Sequence, residues 1–214
     1  MKTKAILLIT FLIISASSIA QTHLYEHPKF EEITANHKVI GILPFKTSIT
    51  LRPKDMKSMT NEQIIKMEED EGMSIQSAMY SWFLKREKRE SLKVSVLDPI
   101  TANAKLKRMG VTQSNFADYT PDELANILEV DAVIMGTFDT NKPMSEGASV
   151  ALGLLIGVYG PTNKAVINLS IYNATDGVLI ANYNKGISGS MGSSTEDLIN
   201  ILMRKASRRI SYTE

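Results

Sequence analysis

There is no cysteine in these 214 residues. That excludes disulfide staples, thiolate metal sites and a cysteine nucleophile, and with them a lipid anchor on an N-terminal cysteine. Histidine is almost as scarce. His23, His27 and His37 are the only three, and all fall in a polar N-terminal stretch that reads as solvent-exposed. A metal site there would draw on Glu26, Glu31 or Glu32, but an irregular tail does not hold ligands rigidly. The rest of the chain is thereby left without a histidine to act as general base. Neither sign of charge dominates: 24 basic residues face 23 acidic ones, for a net charge of +1. A nucleic-acid binder would carry a clear basic excess, so none is expected as a partner. The two apolar stretches, 5–14 and 147–160, both fall short of the roughly 20 residues that cross a bilayer. No internal repeat is visible.

Signature motifs are missing too. A phosphate loop needs Gly-x-x-x-x-Gly-Lys-Ser/Thr, and Gly160-Pro161-Thr162-Asn163-Lys164 does not provide it. No Gly-x-Ser-x-Gly elbow exists; Gly189-Ser190-Met191-Gly192 falls short. The stretch Gly186–Ser194 would cradle an anion at a helix N-terminus, but reads better as a flexible connection. No cofactor, no metal and no enzymatic activity are expected.

What is present begins with the first twenty residues. A basic start (Met1-Lys2-Thr3-Lys4), an apolar run from Ala5 to Ile14 and small residues ending Ser18-Ile19-Ala20 have the layout of a secretory signal peptide. Cleavage is expected after Ala20, which moves the net charge from +1 to −1 and places the protein in the periplasm or otherwise outside the cytosol. An exported chain that folds without disulfides suits a bacterial periplasm. Two sequons, Asn168-Leu169-Ser170 and Asn173-Ala174-Thr175, are read as chance triplets.

The remainder has the size of one domain, of roughly 100–200 residues. Residues 21–37 read as an irregular tether and 38–214 as a single α/β domain. Lys38–Phe45 (KVIGILPF) is a strand closed by Pro44, and Lys46–Thr60 a loop. From Asn61 to Arg89 the pattern is helical, with Ile75, Ala78, Met79, Trp82 and Phe83 on one face. Gly72 weakens the middle and suggests two helices. Leu92–Leu97 is a second strand, followed by a helix over Ile100–Met109 with Gly110 at its left-handed cap. Thr120-Pro121-Asp122-Glu123 supplies an N-cap, a first-turn proline and a capping box. Asp131–Phe138 is a third strand. Lys164–Asn173 and Val178–Lys185 form a hairpin around Ala174-Thr175-Asp176-Gly177, with Ile167, Leu169 and Ile171 facing the core. A helix from Thr195 to Ile210 ends the chain. The order β-α-β-α-α-β-β-β-α fits an α/β (α+β) fold: one mixed sheet with helices packed on it.

Three phrases in order carry a resemblance. They are Ile42-Leu43-Pro44-Phe45, then Val130-Asp131-Ala132-Val133-Ile134-Met135-Gly136, then the hairpin from Leu169 to Leu179. Together they resemble the superfamily of the curli-secretion channel subunit and the penicillin-binding-protein activator lipoproteins, over about residues 38–210. The resemblance implies an anticodon-binding-domain-like α/β fold and an envelope setting, and it transfers no catalytic residues. Two departures matter. That superfamily is largely lipidated on an N-terminal cysteine, absent here, and the connection Gly186–Ser194 is too short for a membrane hairpin of the channel type.

The stretch from Gly147 to Gly160 (GASVALGLLIGVYG) is apolar and Gly-spaced. Two readings fit it: a buried strand or core helix, or a contact surface for a partner, a second copy or lipid. In the second reading the interacting residues are Met144, Val150, Leu152, Leu154, Leu155, Ile156, Val158 and Tyr159. Glu68, Glu69, Asp70 and Glu71 form an acidic run, read as a solvated helix surface because successive residues point to different sides. Lys85, Arg86, Lys88 and Arg89 form a basic run suited to a helix C-terminus, with a role on an anionic envelope surface left open. The sequence thus leads to a non-enzymatic, exported interaction protein of envelope assembly or secretion. Its partner is expected to be an envelope protein or a second copy of itself, with membrane contact left open. The alternative is a carrier or sensor of a small envelope ligand, with residues 147–160 lining the pocket; a hydrolase on an unrecognised site is a third possibility.

Overall fold

A computed structural model describes residues 22–51, 56–57, 59–140, 164–188, 195–210 and 212–213. The expected leader and the whole of 141–163, with all eight candidate contact residues, lie outside the described residues. A run of apolar residues bounded by Pro44 and an alternating hairpin dictate the centre of the fold. Strands β2 (Val39–Ile42), β5 (Ala132–Thr140), β6 (Lys164–Asn173) and β7 (Leu179–Ser188) lie side by side in one mixed sheet. β1 (Thr22–Glu26) flanks β7, the short β4 (Ser95–Val96) flanks β2, and β3 (Lys46–Ile49) continues along β5 past the kink at Pro44. β2 runs parallel to β4 and β5; β5, β6, β7 and β1 are successively antiparallel.

Helices cover both faces. On one, α2 (Asn61–Glu87) and α5 (Thr195–Ser207) pack Ile75, Met79, Phe83, Leu202 and Met203 onto Ile42, Ile134, Phe138, Ile167, Leu169 and Ile171. On the other, α3 (Pro99–Arg108) and α4 (Pro121–Leu128) set Leu106, Leu124 and Leu128 against Leu43 and Val133. The alternation of β5 and β6 divides their side chains between the two layers. α4 begins as its sequence requires: Thr120 and Glu123 form a reciprocal capping box, with Pro121 in the first turn. Gly110 has the positive φ of +72° expected after α3.

Three expectations are corrected. Residues 21–37 are not an irregular tether. Thr22–Glu26 pairs with β7, and Phe30–Thr34 forms a short helix, α1, that buries Phe30 against Tyr212. A strand with no apolar alternation of its own is held here by the ladder its neighbour offers. Lys46–Thr60 is not all loop, because Thr47 and Ile49 turn inward on β3. The helix over 61–87 is continuous through Gly72.

Gly72 is needed for contact with the sheet. A methyl group there would lie 2.1 Å from the Phe45 carbonyl oxygen, and Phe45 N–H donates to the Gly72 carbonyl at 3.2 Å. On its other side the Phe45 ring fills the space above Gly136, where a Cβ would sit 2.2 Å from Cε1. The carbonyls of Lys38 and Ile40 accept from β4 and the residue after it, and Ile42 O faces the same side beyond the end of β4. Buried Gln76 serves it: its Nε2 donates to Ile42 O at 2.6 Å and to Asn103 Oδ1 at 3.0 Å. Helix propensity favours Gly72→Ala by about 1 kcal/mol. The clash with backbone has the opposite sign, and overpacking of this kind costs about 1–3 kcal/mol. Gly72→Ala is therefore expected to lower the stability measured by urea unfolding, and an equal or higher midpoint would contradict this packing.

Candidate functional site

The second face of the sheet is unequally covered. α3 and α4 lie over the β2–β5 side and α4 touches β6, whereas among the described residues no helix covers this face of β7 and β1. That half presents half-buried polar side chains, as the alternation of the hairpin requires. Asn182 Nδ2 donates to Asn168 Oδ1 at 2.7 Å and to Ser170 Oγ at 2.9 Å. At the border with α4 an open cleft of about 480 Å³ is floored by Met135, Thr137, Asn168, Ser170 and Tyr172. Phe116 and Tyr119, from the 3₁₀ segment Gln113–Asp118 and the residue after it, form its aromatic wall. Lys46 is the one charged residue among the described lining. Such a surface suits a small, neutral, partly apolar ligand. Residues 147–160, which the alternative reading of the sequence sets along a ligand pocket, lie outside the described residues.

Histidine enters the folded region after all, which corrects the expectation that it has none. His37 is half-buried, with Nδ1 2.5 Å from the Tyr212 hydroxyl. Asp131 Oδ2 beside them accepts from the backbone N–H groups of Lys38 (2.7 Å) and Val39 (2.9 Å). Burial pushes the His37 pKa down, against the opposing pull of the Asp131 charge. Burial alone would raise the Asp131 carboxyl. The two backbone donors and the charges of His37 and Lys38 outweigh it and hold the group below its ordinary value. Burial, then the Asp131 charge, drives the Tyr212 hydroxyl far up. Tyr212 is 2% exposed, and the trio closes the C-terminal segment onto the start of β2. The signal that would have found it is Phe30 at the start of α1 and His37 just after its end, two partners for one buried tyrosine.

The acidic run is not simply a solvated surface. Glu71 is fully buried, and Glu68 Oε1 accepts from Ile49 N–H at 2.9 Å, tying α2 to β3. Asp70 pairs with Lys66 at 3.1 Å on the outside. The four acids diverge, as their spacing implied. Among the described residues no group of three or more His, Asp or Glu could hold a metal, and no helix is long and apolar enough to cross a membrane. Both sequons lie on β6 or its end, and Asn173 is only 6% exposed, its Nδ2 donating to Asp176 Oδ1 at 2.7 Å. At the end of the sheet, all five residues of β1 are exposed.

The sequence matches no known protein-family profile, and no curated protein matches it. Several solved structures are similar in fold. The PelC dodecamer from Paraburkholderia phytofirmans is 12% identical, with 89% of this chain and 96% of that chain covered and a TM-score of 0.46. Lipoprotein GNA1162 from Neisseria meningitidis is 13% identical over 82% of this chain and 99% of that one, with a TM-score of 0.45. The LpoB C-terminal domain from Salmonella enterica is 6% identical over 75% and 93%, with a TM-score of 0.32. The relationship is distant and concerns the fold.

The shifts at His37 and Asp131 act in one direction. With its pKa held below 6.5 in the fold, His37 contributes stability that is present above that value and lost as pH falls toward the folded one. Asp131, held below 3.8, loses its contribution further into acid. Urea unfolding should show stability declining from about pH 7.5 to about pH 5, with the decline flattened in His37→Gln. A stability that rises over this range, or an unchanged slope in the variant, would contradict the assignment.

Proposed function

We propose that this chain is a non-enzymatic, exported interaction protein of the cell envelope that acts in assembly or secretion by binding a protein partner or a second copy of itself. The observation that carries the reading is the end of the sheet at β1. Its five residues are all exposed, Leu24 at 48% and Tyr25 at 44%, and among the described residues β7 is its one strand neighbour. An edge of this kind offers unpaired backbone groups and apolar side chains to another chain. The apolar stretch 147–160 supports the same reading from sequence, with Leu154 and Ile156 as its central residues and Met144, Val150, Leu152, Leu155, Val158 and Tyr159 around them.

The alternative, a carrier or sensor of a small envelope ligand, is favoured by the cleft floored by Ser170 and Tyr172. A small molecule that stays with the chain in native mass spectrometry would move the conclusion to it.

Leu24→Lys with Tyr25→Lys alters side chains that the fold leaves outside, so the thermal midpoint should hold. Self-association by light scattering, or crosslinking to a defined envelope partner in cells, should weaken about tenfold or more, as for loss of a central interface anchor. Leu154→Ser with Ile156→Ser tests the second stretch in the same assay. Association that persists unchanged in both folded variants would refute the proposal.

A further inference from the structure

We propose that the adjoining C-terminal ends of α2 and α5 form a docking surface for an anionic phospholipid bilayer. α2 ends in Lys85, Arg86, Lys88 and Arg89, and α5 ends in Arg204, Lys205, Arg208 and Arg209. More than a hundred residues separate the two runs, and the packing of α5 on α2 brings them together. Burial, then the charges of Arg208, Arg89 and Arg204, lowers the pKa of Arg86. Lys185 on β7 lies buried beside this surface: burial, then the charges of Lys205 and Arg209, lowers its pKa in turn. None of these arginines makes an ion pair among the described residues. Lys85 Nζ lies 4.0 Å from the centroid of the Trp82 ring, and the Nε1 of Trp82 and the Nε of Arg86 are buried without an acceptor.

An ordinary explanation covers part of this. Cations near helix C-termini complement the dipole. It does not explain two C-termini placed side by side, nor two neighbouring buried donors left without partners, an arrangement that costs stability. In a chain whose charges nearly cancel, concentrated positive charge marks a surface built for an anionic counterpart. Lys85, Lys88, Arg89, Arg204, Lys205, Arg208 and Arg209 are all exposed, so the charge faces outward on one surface, complementary to anionic headgroups, and a Lys/Arg cluster of this size is what binds them. The choice of a bilayer rests on the exported envelope reading; the binding assay itself does not.

The test is sedimentation of the chain, as recovered from the envelope fraction of expressing cells, with vesicles of phosphatidylglycerol and phosphatidylethanolamine or of phosphatidylcholine alone. Binding is expected to the anionic vesicles only, to fall steeply with salt, and to weaken at least about tenfold in Arg204→Glu with Arg208→Glu. Both side chains are exposed, and circular dichroism verifies the fold. Lys107→Glu with Arg108→Glu, at the exposed end of α3, makes the same change in net charge and should bind as the unaltered chain does. Lys88→Glu with Arg89→Glu repeats the test from the α2 side. Equal binding to both vesicle types, equal loss in the α3 control, or binding to an RNA duplex with none to vesicles would each overturn the proposal. Failure here leaves the strand-edge assay untouched, so the two conclusions are separable.

Discussion

Phe45 sits between two glycines that belong to different elements, and the layers of the molecule meet at that point. Gly136 leaves the middle of β5 open to the ring, while Gly72 lets the backbone of α2 approach the Phe45 carbonyl. One residue earlier, Pro44 ends the ladder of β2. One before that, Leu43 is buried among α3 and α4 on the opposite face. The phrase Ile42-Leu43-Pro44-Phe45 therefore joins two cores across the sheet within four residues. Burying a phenylalanine contributes about 2 kcal/mol in itself. Its larger effect is geometric, because the cleft, the network of Gln76 with Asn103 and the start of β3 all lie within a few residues of the kink.

A second junction closes the ends of the chain. β1 pairs with β7, Lys185 reaches Thr22, and Tyr212 lies under Phe30 against His37. The N- and C-terminal segments are thus fastened to the same region of the sheet. On this account the exposed edge of β1 and the basic ends of α2 and α5 are held by the core and do not depend on flexible tails.

Much of this was legible in the sequence, for physical reasons that can be named. The alternation of Ile167, Leu169 and Ile171, the capping box at Thr120 and the apolar strand from Ala132 are local signals, and local signals survive folding unchanged. What escaped was tertiary. β1 has no alternation of its own and exists through its pairing with β7. His37 reads as a tail residue until Tyr212, 175 positions away, is placed beside it. Gly72 has the composition of a helix break and the function of a contact, a distinction that only Phe45 supplies. The joint basic surface escaped for the same reason, since Arg86 and Arg208 meet only when α5 docks on α2.

The central claim, that Phe45 and the two glycines form one fitted unit, is tested most directly by a double-mutant cycle between Phe45→Ala and Gly136→Ala, followed by urea unfolding. Ala lacks the Cε1, Cδ1 and Cζ atoms that would meet the new methyl group at 2.2 Å, 2.5 Å and 2.9 Å. The account predicts that Gly136→Ala is strongly destabilising alone and nearly neutral beside Phe45→Ala, with a coupling of about 1 kcal/mol or more. Additive losses would contradict it.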